Sequence, residues 1–214
     1  MSLYFDPYAE FPYFLRIMSP ERDQDEILNY RREVLQSIGL WDTSSPIFQQ
    51  LAEVKPFGIY TELIHRDKGV AGFCEFMSYE NMLSEDPTYF IAHYYASHLK
   101  ATCPDLNFHV RSLYLKPEFQ RNGSSFLYMC YLNCHYAQLR GAKSMSFSTN
   151  ADEDNLVSMY QRMGAAGFSD INAEMTEKFK VWVGHFSVDT VINPLRRASL
   201  KSTYLYKNRA QLYG

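Results

Sequence analysis

A chain of 214 residues, 46% hydrophobic and 21% charged, can bury a full core, which argues against global disorder and for one domain spanning 1–214. Its net charge of −3 leaves no electrostatic footprint for a nucleic-acid partner, and no apolar run reaches the length of a membrane span. With no signal peptide in evidence, the four cysteines are expected as free thiols in a reducing cytoplasm.

In chain order, a short aromatic-rich arm leads into a first strand over Phe11–Met18. Ser19-Pro20-Glu21 then predicts a helix start, with Ser as N-cap and Pro at the first position. That helix is expected to run to Ser37, with Ile27, Tyr30, Arg31, Val34 and Ile38 at helical spacings, and to stop at Gly39. A second short helix is expected over Ile47–Val54. Phe57–His65 and Val70–Tyr79 predict two strands, and Arg66-Asp67-Lys68-Gly69 between them a hairpin turn. An acidic loop over Asn81–Pro87 precedes a helix at Thr88–Thr102.

Phe108–Gly141 is the stretch around which the rest is arranged. Phe108–Lys116 reads as a strand closed by Pro117, and Ser124–Arg140 as an uninterrupted helix that Gly141 stops. A strand feeding a glycine-containing turn that opens a helix is an anion site, because backbone amides there are unpaired and carry the positive end of the helix dipole. Ala142–Thr149 follows as a strand, Leu156–Met163 as a helix ended by Gly164, and Phe179–Ile192 as strand-like alternation. Asn193-Pro194 leads into a basic, helical extension over 194–214. The order predicts an α/β (α+β) fold, a mixed sheet with helices on both faces. Cys130 and Cys134, one turn apart beside His135, lack a second pair with ligand spacing, so no metal is expected.

The runs Leu113–Glu118, Gln120–Ser125, Leu139–Ala142 and Met159–Gly164, taken together in this order, resemble the GNAT superfamily, the Gcn5-related N-acetyltransferases. Gln120-Arg121-Asn122-Gly123-Ser124-Ser125 is similar to its Q/R-x-x-G-x-G/A turn, with Ser125 where Gly or Ala is usual. Leu113-Tyr114-Leu115-Lys116-Pro117-Glu118 before it, Leu139-Arg140-Gly141-Ala142 after it, and Met159-Tyr160-Gln161-Arg162-Met163-Gly164 further on also match in order. Glu153 stands where the family often has Asn, flanked by Asn150 and Asn155, and the Gly-Phe ending is stretched to Gly164–Phe168.

The resemblance implies a largely antiparallel, twisted sheet and an acetyl-CoA or coenzyme A site. Amides of Gln120, Arg121, Asn122, Gly123, Ser124 and Ser125 would take the pyrophosphate, with Asn155 as a further contact. The main chain of Leu113, Tyr114 and Leu115 would hold pantetheine and polarise the thioester. Tyr160 takes the position of the general acid for the departing thiolate. His109, eleven residues before Gln120, takes that of the general base, and Glu75 is the second candidate for that base. Ser146 and Ser148 would line the cleft.

The implied activity is transfer of acetyl from acetyl-CoA to a primary amine, on a small molecule or a protein, by direct attack in a ternary complex. Two alternatives stand beside it. One is a long-chain N-acyltransferase drawing on acyl-CoA or acyl carrier protein, like autoinducer and N-acyl-amino-acid synthases. The other is a non-catalytic module that binds acyl-CoA. Family members often pair as homodimers, which this sequence leaves open.

Overall fold

The computed structural model describes residues 2–7, 10–37, 58–80, 103, 105–120, 123–150, 154–170 and 181–208. These form a sheet of eight strands in the order β1-β2-β3-β4-β5-β6-β8-β7. The strands are β1 (Ser2–Tyr4), β2 (Tyr13–Met18), β3 (Ile59–His65), β4 (Gly69–Ser78), β5 (Leu106–Leu115), β6 (Ser144–Asn150), β7 (Ala166–Asp170) and β8 (Val181–Ser187). The described helices are α1 (Gln24–Ser37), α2 (Pro117–Gln120), α3 (Gly123–Leu139), α4 (Asp154–Arg162) and α5 (Val188–Lys207). Among these strands only the β5–β6 pair is parallel.

Burial follows from strand position. β4 is almost continuously buried, as a central strand covered on both faces must be. One face carries Leu15, Leu63, Cys74, Phe76, Phe108 and Leu115 beneath Tyr128, Met129, Leu132 of α3 and Val191, Leu195 of α5. α3 is apolar nearly all round because it lies between sheet and α5. Its one buried amide, Asn133, donates to the Met129 carbonyl at 2.9 Å and accepts from the Thr61 hydroxyl at 2.5 Å. The other face is covered by α1, whose Ile27 and Tyr30 pack on Met18, Tyr60 and Phe73. Gly141 stops α3 at φ 93° and Gly164 follows α4 at φ 98°, a backbone region that glycine enters without strain.

The residues before β2 contact α5. The buried Asp6 carboxylate accepts from the Tyr131 hydroxyl at 2.8 Å and lies 3.5 Å from Arg196 Nε, while Lys207 Nζ donates to Glu10 at 3.1 Å. Tyr128 of α3 donates to the Ser199 carbonyl at 3.1 Å, so α3 and α5 run antiparallel with Tyr128 beside Ser199 and Gln138 bonded to Asp189 at 2.7 Å.

Four sequence expectations are corrected. The first helix begins at Gln24 rather than at Ser19: the Asp23 carbonyl accepts the first helical bond, from Ile27, and the Asp23 carboxylate binds the Ser19 amide at 2.8 Å. Ser19–Asp23 is thus a turn before the helix. β1 joins the sheet at one edge where only an aromatic-rich arm was expected, and β7, over residues for which the sequence predicts no element, joins it at the other. The polar turn after β5 holds a helical turn, α2, opened by Pro117 at its first position.

The basic extension is not a tail starting at Pro194. α5 begins at Val188, runs through Pro194, and buries Val188, Val191, Ile192, Leu195, Ser199 and Thr203. The expected helices at Ile47–Val54 and Thr88–Thr102 and the loop at Asn81–Pro87 lie outside the described residues.

Candidate functional site

β5 and β6 pair only part of their length. Their register runs from Leu106↔Ser144 to Val110↔Phe147 and ends there, although β5 continues to Leu115 and β6 to Asn150. The two strands therefore fork. Beyond Val110, β5 stays paired with β4 through Ser112↔Glu75, Leu113↔Cys74, Tyr114↔Phe73 and Leu115↔Gly72. Its other edge has no partner among the described strands, so every second residue of Arg111–Leu115 turns its N–H and C=O into the fork. At the fork the β4–β5 register slips: Phe76 faces Val110 and Glu75 faces Ser112, leaving Arg111 as the extra residue of a bulge. The bulge switches the alternation, so that Phe108 and Val110 before it and Leu113 and Leu115 after it all reach the α3 side.

The open edge of β5 points toward the start of α3. The Gln120 side-chain amide donates to the Leu115 carbonyl at 2.7 Å and so ties the turn to the strand. Gly123, Ser124 and Ser125 form the first turn of α3, at the positive end of its dipole. Ser125 is fully buried, and its hydroxyl shares a 2.8 Å hydrogen bond with the Tyr13 hydroxyl. The side chain that replaces the usual Gly or Ala thus points into the core, away from any ligand at the helix start. Arg121 and Asn122 lie outside the described residues.

The α3 side of the fork carries Tyr160. Its ring packs on Phe147, the last β6 residue paired with β5, at 4.3 Å between centroids, and edge-on to Phe126 at 6.0 Å. Burial raises the phenol well above its ordinary range, with a further electrostatic push from Cys130, Cys74 and Cys134. Tyr160 therefore carries its proton at every physiological pH, and gives it up less readily than an ordinary phenol. The thiols themselves are free and buried; burial raises all three, Cys134 to about 12, which makes them poor nucleophiles. Asn155 lies exposed in the first turn of α4.

The α1 side carries His109, Ser146 and Glu75. His109 is buried, with Nδ1 2.9 Å from the Ser146 hydroxyl, which is also 2.7 Å from the Tyr79 hydroxyl. Burial, reinforced by the charge of Arg111 and only partly opposed by Glu75, pushes the imidazole down to about 3. The ring is neutral at physiological pH and binds a proton weakly, so of the two properties wanted in a general base it has only the first.

Glu75 is fully buried in an ionic cluster. Arg31 Nη2 donates to Oε1 at 2.7 Å and Arg31 Nε to Oε2 at 3.1 Å, a two-pronged pair; Tyr60 donates to Oε1 at 3.0 Å, and Arg111 Nη1 lies 3.5 Å from it. Burial alone would raise this carboxyl, but Arg31 and Arg111, with the hydrogen bonds from Arg31 and Tyr60, hold it below its ordinary range. A carboxylate so held is a poor proton acceptor.

The structure thus gathers Tyr160, His109, Ser146 and Glu75 around one fork, with the acid candidate on one face of the sheet and the base candidates on the other. Arg31 and Arg111 were not singled out from the sequence. The available signal was Glu75 itself, a carboxylate within the apolar run of β4, which requires a cation when buried. Among the described residues no cluster of three or more His, Cys, Asp or Glu could hold a metal ion, and no described helix is long and apolar enough to cross a membrane.

No protein-family model matches the sequence, and no curated protein does either. Solved structures do match. FeeM, an N-acyl amino acid synthase from uncultured soil microbes, aligns over 83% of this chain and 91% of its own, at 15% identity and TM-score 0.57. A GCN5-related N-acetyltransferase from Brucella melitensis aligns over 92% and 84%, at 11% identity and TM-score 0.55. A chimeric spermidine N-acetyltransferase from Vibrio cholerae aligns over 85% and 99%, at 12% identity and TM-score 0.55. At these identities the likeness is one of architecture. The chain is built on the GNAT fold, a mixed and mostly antiparallel sheet flanked by helices.

Proposed function

We propose that the protein is an acyl-CoA-dependent N-acyltransferase that binds its donor in the β5–β6 fork. The observation that carries this is the end of β5–β6 pairing at Val110↔Phe147, on a strand whose free edge leads to the N-terminus of α3. An extended pantetheine can add to the edge of β5 beyond the bulge, over Ser112–Tyr114, as a further strand would, through main-chain hydrogen bonds. The pyrophosphate then falls at the first turn of α3, on the amides of Gly123–Ser125 and of the preceding Arg121 and Asn122. An N–H of the Leu113–Leu115 segment aimed at the thioester oxygen stabilises the charge that develops as an amine attacks.

The attacking amine supplies the electron pair for the new C–N bond, the C–S bond breaks, and Tyr160 gives its proton to the leaving thiolate. The amine's proton leaves on the α1 side. Given the low basicity of His109 and the pairing of Glu75, the reading that fits best is a relay from Ser146 and His109 to water, with acceptors that arrive partly as free amines. Acetyl-CoA and a primary amine are the first pair to assay, in a cytoplasmic setting.

The likeness to an N-acyl amino acid synthase favours a second donor class, long acyl chains on coenzyme A or on a carrier protein. Thiol release measured with acetyl, octanoyl and palmitoyl donors against amino acids and polyamines separates the two. Coenzyme A binding with no acceptor-dependent release from any donor would instead identify a binding module.

A further inference from the structure

The Arg31–Glu75–Arg111 cluster is an expensive object to bury. The three side chains are 3%, 0% and 5% exposed, and Glu75 stands between the apolar Cys74 and Phe76 in a buried central strand. Taking such charges out of water costs several kcal/mol per ion, and well-packed apolar residues of similar size commonly give equal or greater stability. Stability therefore does not account for it. The best-attested use of buried ionic groups is to fix register, and the cluster sits where register is at stake.

Arg111 is the extra residue of the β5 bulge, and Glu75 pairs across from Ser112, its other member. If the bulge were lost, the pairing would slip by one residue and the residues after it would exchange faces. Leu113 and Leu115 would then leave the α3 core, and the N–H groups that face the fork would become those that face β4. One carboxylate reaches both sides of this choice. It holds Arg111 on the bulge, and it is itself gripped from α1 by both prongs of Arg31.

We infer that Glu75 is a positioning residue: with Arg31 and Arg111 it locks the register of the β5 bulge and so sets which backbone groups of Ser112–Tyr114 face the fork. The lock stands on the geometry of the strand. Only its consequence for catalysis rests on the acyltransferase reading above.

Two variants test it, the charge-free Arg31→Met/Glu75→Leu/Arg111→Met and the isosteric Glu75→Gln. Three quantities are measured: the thermal unfolding midpoint, amide hydrogen exchange over 108–116, and kcat and KM for acetyl-CoA. The charge-free variant is expected to unfold at or above the wild-type midpoint, while exchange in β5 accelerates about tenfold or more. Its kcat is expected to fall about tenfold or more with little change in KM, because the thioester contact is misaimed while the pyrophosphate turn is intact.

Glu75→Gln is expected to lower kcat with the shape of its pH profile unchanged. Wild-type exchange in β5 together with wild-type kcat in the charge-free variant would overturn the lock. Loss of the acid limb of the profile in Glu75→Gln would make Glu75 the base instead. If the charge-free variant does not fold, exchange and kcat in Glu75→Gln decide. Should the wild-type protein release no thiol from any donor, the acyltransferase reading fails, and the exchange measurement still judges the lock.

Discussion

Tyr160 and His109 are pushed by burial in opposite directions along the pH scale, and both end uncharged. The raised Tyr160 phenol stays protonated, so the proton role open to it in the proposed reaction is donation, from an acid weaker than an ordinary phenol. Tyr160→Phe keeps the ring on Phe147 and removes the donor, and should lower kcat about 100-fold or more with KM for the acyl donor nearly unchanged; steady-state thiol release measures both.

For His109 the depressed folded-state value has a consequence for stability. Above pH 6.5 the ring is neutral in the folded and unfolded chain alike; below it the unfolded chain takes up a proton that the folded one refuses until about pH 3. Stability is thus intact above pH 6.5 and should fall by about 1.4 kcal/mol per pH unit through that window from this residue alone. His109→Asn should unfold earlier at pH 7, because it leaves a small cavity, yet lose less on acidification, as thermal denaturation at pH 7 and pH 5 would show. These side chains also mark the reach of sequence reasoning. A tyrosine at a motif position could be named in advance, but the basicity of His109 and the pairing of Glu75 depend on what other strands and α1 bring alongside.

At the level of elements, long periodic segments were legible and short ones were not. α3 shows its limits in the sequence, between Gly123 and Gly141, and β3–β4 their hairpin, because the signals are local. β1 and β7 are 3 and 5 residues long, too short to display alternation, and they are strands only because β2 and β8 offer an edge. α5 shows the opposite failure. Pro194 reads as a helix start, but the burial of Val188, Val191 and Ile192 against α3 holds the preceding turn helical in spite of the missing N–H. That tertiary override has a measurable cost. Pro194 is exposed, so Pro194→Ala should restore a hydrogen bond to the Thr190 carbonyl without disturbing the core, and should stabilise the protein by about 1–3 kcal/mol, read as a higher unfolding midpoint.

Over the whole molecule, the order of elements predicted a mixed sheet covered on both faces, and that is what forms. The site was half legible. The strand, turn and helix that make the fork lie in one continuous stretch, so their order survives in the sequence; the fork itself, as an ending of the β5–β6 register, does not. It depends on β6 following β8, a partner distant in the chain with which it pairs along its whole length from Ser144↔Ser187 to Asn150↔Val181, while β5 stays with β4. The contacts of Asp6 with Arg196 and of Glu10 with Lys207 carry a similar separation to its extreme. During synthesis the first strand pair must wait for nearly the entire polypeptide before its ionic partners exist. The cover over α3 is equally late, since α5 is the last of the described helices to be made. Long waits of this kind expose apolar surface to aggregation. A chain released after Ser187 should therefore be insoluble or rapidly proteolysed, while one released after Asn208 should resist limited proteolysis like the full-length protein; translation stalled at successive lengths would show protection arriving abruptly, with α5.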